Sequence, residues 1–370
     1  MLMQHFIKSQ SCSVRNFHSK SAHIHQHANA RPSIERSASV KQLSERKESG
    51  RGEQAICFVS FGTSTIASTH RRVIDRAKPK HCTMASQPAD TPLLTGLSAF
   101  PITPQKAFGV IDEAGLTSLV DRLVDAGVDS IGLLGSTGTY AFLNRDQRRR
   151  AVQVATEAIK RKTSRPNAAN ENQVKKPALL VGVGHIRTDM AILLAQDALE
   201  HGADAGLLSP VSYNPLTDEE VFQHFRAVAE AVPDLPLVIY NNAGTTKFTF
   251  SPELVGRLAC IGIAGLKYPS PPTEKDADAV LDSFRGAVTA ATATTTDPGV
   301  ATPVSRFCFG FSRDACIVNG LLAGGQAWFS VFGGLFPRRA LQLIRLTRRG
   351  PARNDDEARR VHAELQPLWD

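Results

Sequence analysis

A lysine, a tyrosine and a hydroxyl-rich glycine turn carry the chemistry that can be read directly from this chain. Lys267 closes the apolar stretch Ile-Ala-Gly-Leu, and Tyr240 closes Pro-Leu-Val-Ile. A lysine at the end of a buried strand is desolvated, which lowers its pKa towards the range where a neutral amine attacks a carbonyl and forms a Schiff base. The competing reading is a lysine that extends its stem to the rim and keeps its ammonium in water. A tyrosine one strand away supplies a phenol within reach of that nitrogen, and imine formation needs such a group to move protons to and from the carbinolamine. A tyrosine packed beneath a loop is the plainer alternative. The turn Gly135-Ser136-Thr137-Gly138 offers backbone N–H groups and two hydroxyls to a carboxylate, although the same tetrapeptide also makes an ordinary turn. With lysine as the electron sink, no metal and no cofactor are called for, and no paired carboxylates, H-E-x-x-H or Ser-His-Asp order competes.

These residues need a scaffold that brings strand ends together. From residue 93 onward, short apolar runs alternate with helical periodicity. Strands are expected near 95–102, 130–135, 178–184, 205–209, 236–242, 262–267, 306–311 and 327–332. Helices fit near 112–126, 145–162, 187–201, 217–232, 251–259, 272–285, 314–324 and 337–348. Eight continuous apolar strands alternating with eight helices predict an α/β fold, a (β/α)8 barrel whose active site lies at the C-terminal ends of the strands. A doubly wound open sheet is the alternative. The polar stretch 161–177 and the low-complexity stretch 286–303 read as surface loops.

Composition narrows the function classes. The chain has 370 residues, 42% of them hydrophobic, enough for one large α/β domain. Its net charge of +8 is concentrated in residues 1–83, which hold 14 of the 43 Lys+Arg but only 5 of the 35 Asp+Glu. The remainder is close to neutral, so no nucleic-acid partner is inferred. No run is long enough to span a membrane. The cysteines, Cys12, Cys57, Cys82, Cys260, Cys308 and Cys316, form no C-x-x-C pair, so neither a zinc site nor a disulfide framework is indicated and a reducing compartment fits. Residues 1–83 are basic, rich in Ser and His and without an acid before Glu35. They read either as an organellar transit peptide or as a disordered extension ahead of Met84, and the expected location is cytoplasmic or mitochondrial.

Taken in order, GSTG after the second strand, YNN-x-GTT after the fifth and GLK after the sixth resemble the pyruvate-dependent class I lyases of the dihydrodipicolinate synthase and N-acetylneuraminate lyase family. The resemblance spans about residues 93–350, including GLLAGGQAWFSVFGG. It implies a TIM barrel over 84–350 and the start of a C-terminal helical region over 351–370, cut short at Asp370. It also implies that Lys267 forms the imine with pyruvate, that Tyr240 shuttles protons, that Ser136 and Thr137 bind the keto-acid carboxylate beside Gly135, and that Phe329 lines the site. The expected partners are small molecules, a 2-keto acid and an aldehyde, in a homo-oligomer. Three departures are visible. Thr139 replaces a common glutamate, and Tyr213 is displaced by one position from the tyrosine of a relay between subunits. Thr245 stands where the synthases carry an arginine for the carboxylate of aspartate semialdehyde, with Lys247 two residues on. Thr245 suits a neutral polyhydroxylated partner, and the favoured reaction is cleavage of a 2-keto-3-deoxy sugar acid to pyruvate and an aldehyde. The alternatives are 4-hydroxy-tetrahydrodipicolinate synthase and a non-catalytic metabolite-binding barrel.

With the first 83 residues outside the barrel, a chain starting at Met84 is expected to melt at the same temperature and keep the same activity as the full chain. A large loss of thermal stability would move the domain boundary upstream.

Overall fold

The structure is a computed structural model that describes residues 93–164 and 175–369. The leader readings, and the middle of the 161–177 stretch, lie outside the described residues. Eight parallel strands close on themselves: β1 (Gly96–Ala99), β2 (Ser130–Leu133), β3 (Ala178–Gly182), β4 (Ala205–Leu208), β5 (Leu237–Tyr240), β6 (Gly265–Pro269), β7 (Cys308–Ser312) and β8 (Ala327–Ser330). Each pairs with the next in sequence, and β8 returns to β1, with Ser98 opposite Phe329. The barrel expected from the alternation of elements is therefore the one observed, and the open sheet is excluded.

Helices α1 (Glu113–Ala126), α2 (Arg145–Thr163), α3 (Thr188–Glu200), α4 (Asp218–Ala231), the single turn α5 (Ala243–Thr246), α6 (Pro252–Cys260) and α7 (Glu274–Ala293) fill the first six connections. After β7 comes α8 (Ile317–Leu322), and after β8 come α9 (Val331–Leu335), α10 (Pro337–Thr347) and α11 (Asp355–Ala363). Local chemistry starts them where polar caps stand: Asn144 with Gln147 before α2 and Thr217 with Glu220 before α4 both form reciprocal capping boxes. The stretch from 286, expected to be a loop, instead continues α7 to Ala293. Its buried stripe Ala277, Leu281, Phe284 and Val288 keeps the helical spacing, and alanine-rich sequence favours helix, so low complexity was a misleading sign of a loop.

Two packed layers follow from the alternation of side chains along each strand. Leu237 and Ile239 face the helices in the main core, whereas Val238 and Tyr240 join Leu180, Leu207, Cys308 and Phe329 in the barrel interior. Two rings, Phe100 and Phe329, cap that interior edge to face, 6.1 Å apart. They fit only because glycines face them. A Cβ on Gly132 would lie 2.3 Å from the Phe100 ring, and one on Gly310 would lie 2.4 Å from Phe329. Gly132→Ala is therefore expected to destabilise the fold by about 1–3 kcal/mol through overpacking. Chemical denaturation checks this, and an unchanged midpoint would mean that the Phe100 ring moves aside freely.

Candidate active site

Register decides which side chains meet. Tyr240 on β5 pairs directly with Lys267 on β6, so both occupy the interior row at the C-terminal end of the barrel. Lys267 is 6% exposed, and its Nζ lies 4.1 Å from the centre of the Tyr240 ring and 5.7 Å from that of Phe100. Among the described residues no side chain is within hydrogen-bonding or ion-pair distance of this nitrogen. Burial pushes the lysine pKa down to about 7, opposed by the charge of Asp314. The rim-extended lysine is thus not what the fold produces.

The Tyr240 hydroxyl is held from two sides. Asn242 Nδ2 donates to it at 3.0 Å, and Ser136 Oγ lies 3.1 Å away. With the phenol oxygen already accepting from Asn242, its own proton is free to pass towards Ser136 or towards a ligand. Burial pushes the Tyr240 pKa up, and the two hydrogen bonds oppose this. Ser136 and Thr137 lie in the loop after β2, bounded by Leu134 and Thr139, both non-glycine residues in the left-handed region (φ 56° and 55°). The backbone N–H groups of Ser136 and Thr137 have no acceptor among the described residues. The turn therefore presents unspent donors to the cavity, as an anion-binding loop does.

The cavity holds ≈ 90 Å³ and is lined by Ser136, Thr137, Tyr240, Lys267 and Phe329 together with residues that the sequence reading did not single out. Only a compact ligand can be enclosed against the lysine at that size, and anything longer must extend to the rim. Phe100, from the end of β1, supplies an apolar wall, and Asn241, Asn242, Pro269, Ser312, Arg313, Asp314 and Val331 complete the lining. Asp314 is the most constrained of these. Its Oδ1 accepts from Trp328 Nε1 at 2.8 Å and Ser330 Oγ at 3.0 Å, and its Oδ2 from the Phe332 N–H at 2.8 Å. Burial pushes this carboxyl pKa up, against those donors and the nearby Lys267. Asp314 thus ties the end of β7 to β8 and α9. The rule that chemistry lies at C-terminal strand ends, applied to RFCFGF, would have pointed to residues 312–314 as it pointed to Lys267.

Three expected residues stand elsewhere. Gly135 packs beneath Phe100, where a Cβ would lie 2.8 Å from the ring. Thr245 is exposed in α5 and donates to the Asn242 carbonyl, outside the cavity lining. Tyr213 is 91% exposed and does not line the cavity of its own chain. Tyr140, by contrast, is half-buried with its hydroxyl 3.3 Å from Ser209 Oγ and the Arg148 guanidinium 5.2 Å from its ring centre. Among the described residues, no helix is long and apolar enough to cross a membrane.

Comparison with known proteins gives the chain its family. The model of the dihydrodipicolinate synthetase family matches residues 93–282. The 4-hydroxy-tetrahydrodipicolinate synthase of Alkalilimnicola ehrlichii is 30% identical over 274 residues, 72% of this chain and 79% of that protein. The enzyme of the same name from Pseudomonas savastanoi is 30% identical over 75% of this chain and 82% of its own length. Among solved structures, a dihydrodipicolinate synthase from Agrobacterium tumefaciens is 43% identical, with a TM-score of 0.62 over 74% of this chain and 82% of that one. The Aquifex aeolicus dihydrodipicolinate synthase is 26% identical, with a TM-score of 0.58 over 74% and 81%. The family match covers half of the chain, the identities extend over three quarters of it, and the barrel is shared: this chain belongs to the dihydrodipicolinate synthetase family of Schiff-base-forming lyases and synthases.

Proposed function

We propose that this enzyme joins Lys267 to pyruvate or a similar short 2-keto acid as an imine, and in that form breaks or makes the bond to an aldehyde, acting chiefly in cleavage of a 2-keto-3-deoxy sugar acid. The observation that carries the reading is the buried Lys267 amine, brought to about 7 by desolvation, lying 4.1 Å from the ring of a tyrosine whose hydroxyl is chained to Ser136. The neutral amine adds to C2 of the keto acid, and the carbinolamine loses water with proton transfer through Tyr240. In the cleavage direction the C4 hydroxyl gives up its proton, the C3–C4 bond breaks, and its electron pair moves into the imine to leave an enamine. The aldehyde departs, C3 is protonated, and water releases pyruvate. Ser136 and Thr137, with their unspent N–H groups, are the residues to hold the keto-acid carboxylate. Phe100 and Phe329 keep water from the amine.

Among the described residues, no cation faces the cavity from the strand-five side, which speaks against the arginine clamp of the synthases and for the sugar acid. Thr245 is turned to its own helix, and Lys247 donates to the Gly244 carbonyl. The second reading, 4-hydroxy-tetrahydrodipicolinate synthase, is favoured by the names of the relatives just described. Catalytic efficiencies with both substrate sets, measured on one preparation, decide between them. Higher efficiency for condensation with aspartate semialdehyde would reverse the preference stated here.

Two measurements test the shared chemistry. Pyruvate plus borohydride is expected to add a carboxyethyl group to the Lys267 peptide, and equal labelling of Lys267→Ala would remove the assignment. Because the amine must be neutral to attack, and its folded pKa is about 7, the initial labelling rate should rise as pH passes through about 7 and then level off. A rate still climbing towards 10.5, the ordinary lysine value, would show an unperturbed amine.

Tyr240→Phe keeps the ring over the amine but deletes the hydroxyl. Turnover should fall by roughly 10²-fold with little change in melting temperature. Unchanged turnover would exclude the phenol as proton carrier.

A further inference from the structure

Arg313 is a cation at the cavity with no ion-pair partner among the described residues. It follows β7, half-buried, and lines the cavity beside Ser312 and Asp314. Among the described residues its guanidinium has no hydrogen-bond acceptor and no carboxylate partner. The adjacent carboxylate makes no ion pair with it and is instead held by Trp328, Ser330 and the Phe332 N–H. The fold also holds Arg313 in the left-handed region, at φ 70° and ψ 81°. A residue with a Cβ adopts that conformation only under constraint, and such constraint concentrates where a side chain must be aimed.

Strand order gives the direction of aim. Tyr240 lies on β5, Lys267 on β6 and Arg313 just beyond β7, with Pro269 opposite Ser312 in the ladder. Arg313 therefore stands on the side of the lysine away from Tyr240 and its Ser136 partner. A keto acid bound to Lys267 with its carboxylate at Ser136 and Thr137 leaves its growing or departing end on the Arg313 side. A planar fork of N–H donors suits a carboxylate or a phosphate there and gains little from a hydroxyl.

We propose that Arg313 recognises an anionic group at the distal end of the second substrate, so that the aldehyde formed or consumed is a carboxylate or phosphate rather than a neutral polyol. The inference rests on the Schiff-base reading above and names the substrate class for that site. It revises the neutral partner expected from Thr245: the missing strand-five charge is supplied from the far wall.

The test condenses pyruvate with matched aldehydes in the full chain. Succinate semialdehyde against butanal reads a carboxylate, and glyceraldehyde 3-phosphate against glyceraldehyde reads a phosphate. In the unaltered enzyme at least one anionic aldehyde should exceed its neutral partner in kcat/KM by on the order of 10- to 100-fold. Arg313→Gln should bring that ratio towards one, mainly through KM, while Arg313→Lys keeps part of it because it retains the charge but not the fork. Arg313→Gly gives a second variant whose backbone suits the left-handed conformation, so a loss of ratio there is not a loss of fold. Ratios near one in the unaltered enzyme, or ratios unmoved by both Gln and Gly, would overturn the proposal. Borohydride labelling with pyruvate alone is run on the same proteins: no label on unaltered Lys267 defeats the Schiff-base reading itself, whereas normal labelling with flat ratios defeats only the role of Arg313.

Discussion

Desolvation of one amine is the constraint around which this barrel is arranged. An ammonium in water has no reason to give up its proton near neutrality, and here the cost of burying the charge removes that preference. The walls that exclude water are rings from three strands, Phe100 after β1, Tyr240 on β5 and Phe329 on β8. Those rings reach the axis because glycines on neighbouring strands leave them room, Gly132 under Phe100 and Gly310 beside Phe329. A change of one carbon at Gly132, four strands from the lysine around the barrel, is thus connected to the lysine's protonation through packing alone.

The polar groups around that dry centre are tethered with unequal care. Tyr240 is held by Asn242 and Ser136, and Asp314 by three donors that fix the end of β7 to β8 and α9. The backbone of Asp314 is also met by His362 from α11, whose Nε2 lies 3.1 Å from the Asp314 carbonyl. The helices beyond the barrel therefore reach back to the same loop that carries Arg313. By contrast, the Arg313 guanidinium and the N–H groups of Ser136 and Thr137 have no partner among the described residues. Satisfied groups set the shape of the site and unsatisfied ones are left for a ligand.

Much of the fold was legible because its signals are local. Apolar runs separated by capped, 3.6-periodic segments gave all eight strands and eight of the helices near their observed places. The extension of α7 to Ala293 was missed because alanine and threonine repeats look featureless when the buried stripe ending at Val288 is not followed. Lys267, Tyr240, Ser136 and Thr137 were readable from residue type and position after an apolar run. Asp314 and Arg313 follow an equally apolar run, but Asp314 stands at the start of the helix expected near 314–324, so the pair reads first as a helix start.

The sequence by itself determined which side chains stand at the C-terminal strand ends, because alternation along a strand is fixed residue by residue. It determined the family as well, through motifs whose order and spacing survive in the primary chain. Only the tertiary structure decided how those ends are used. Closure of β8 on β1 brings Phe329 and Phe100 together over an amine that neither neighbours in sequence. Loop conformation turned Thr245 to its own helix, left Tyr213 exposed and set Asp314 against Trp328, with Arg313 beside it in the cavity lining. Such choices depend on which strand lies beside which around a ring and on what each polar atom finds there, and no local pattern carries that information.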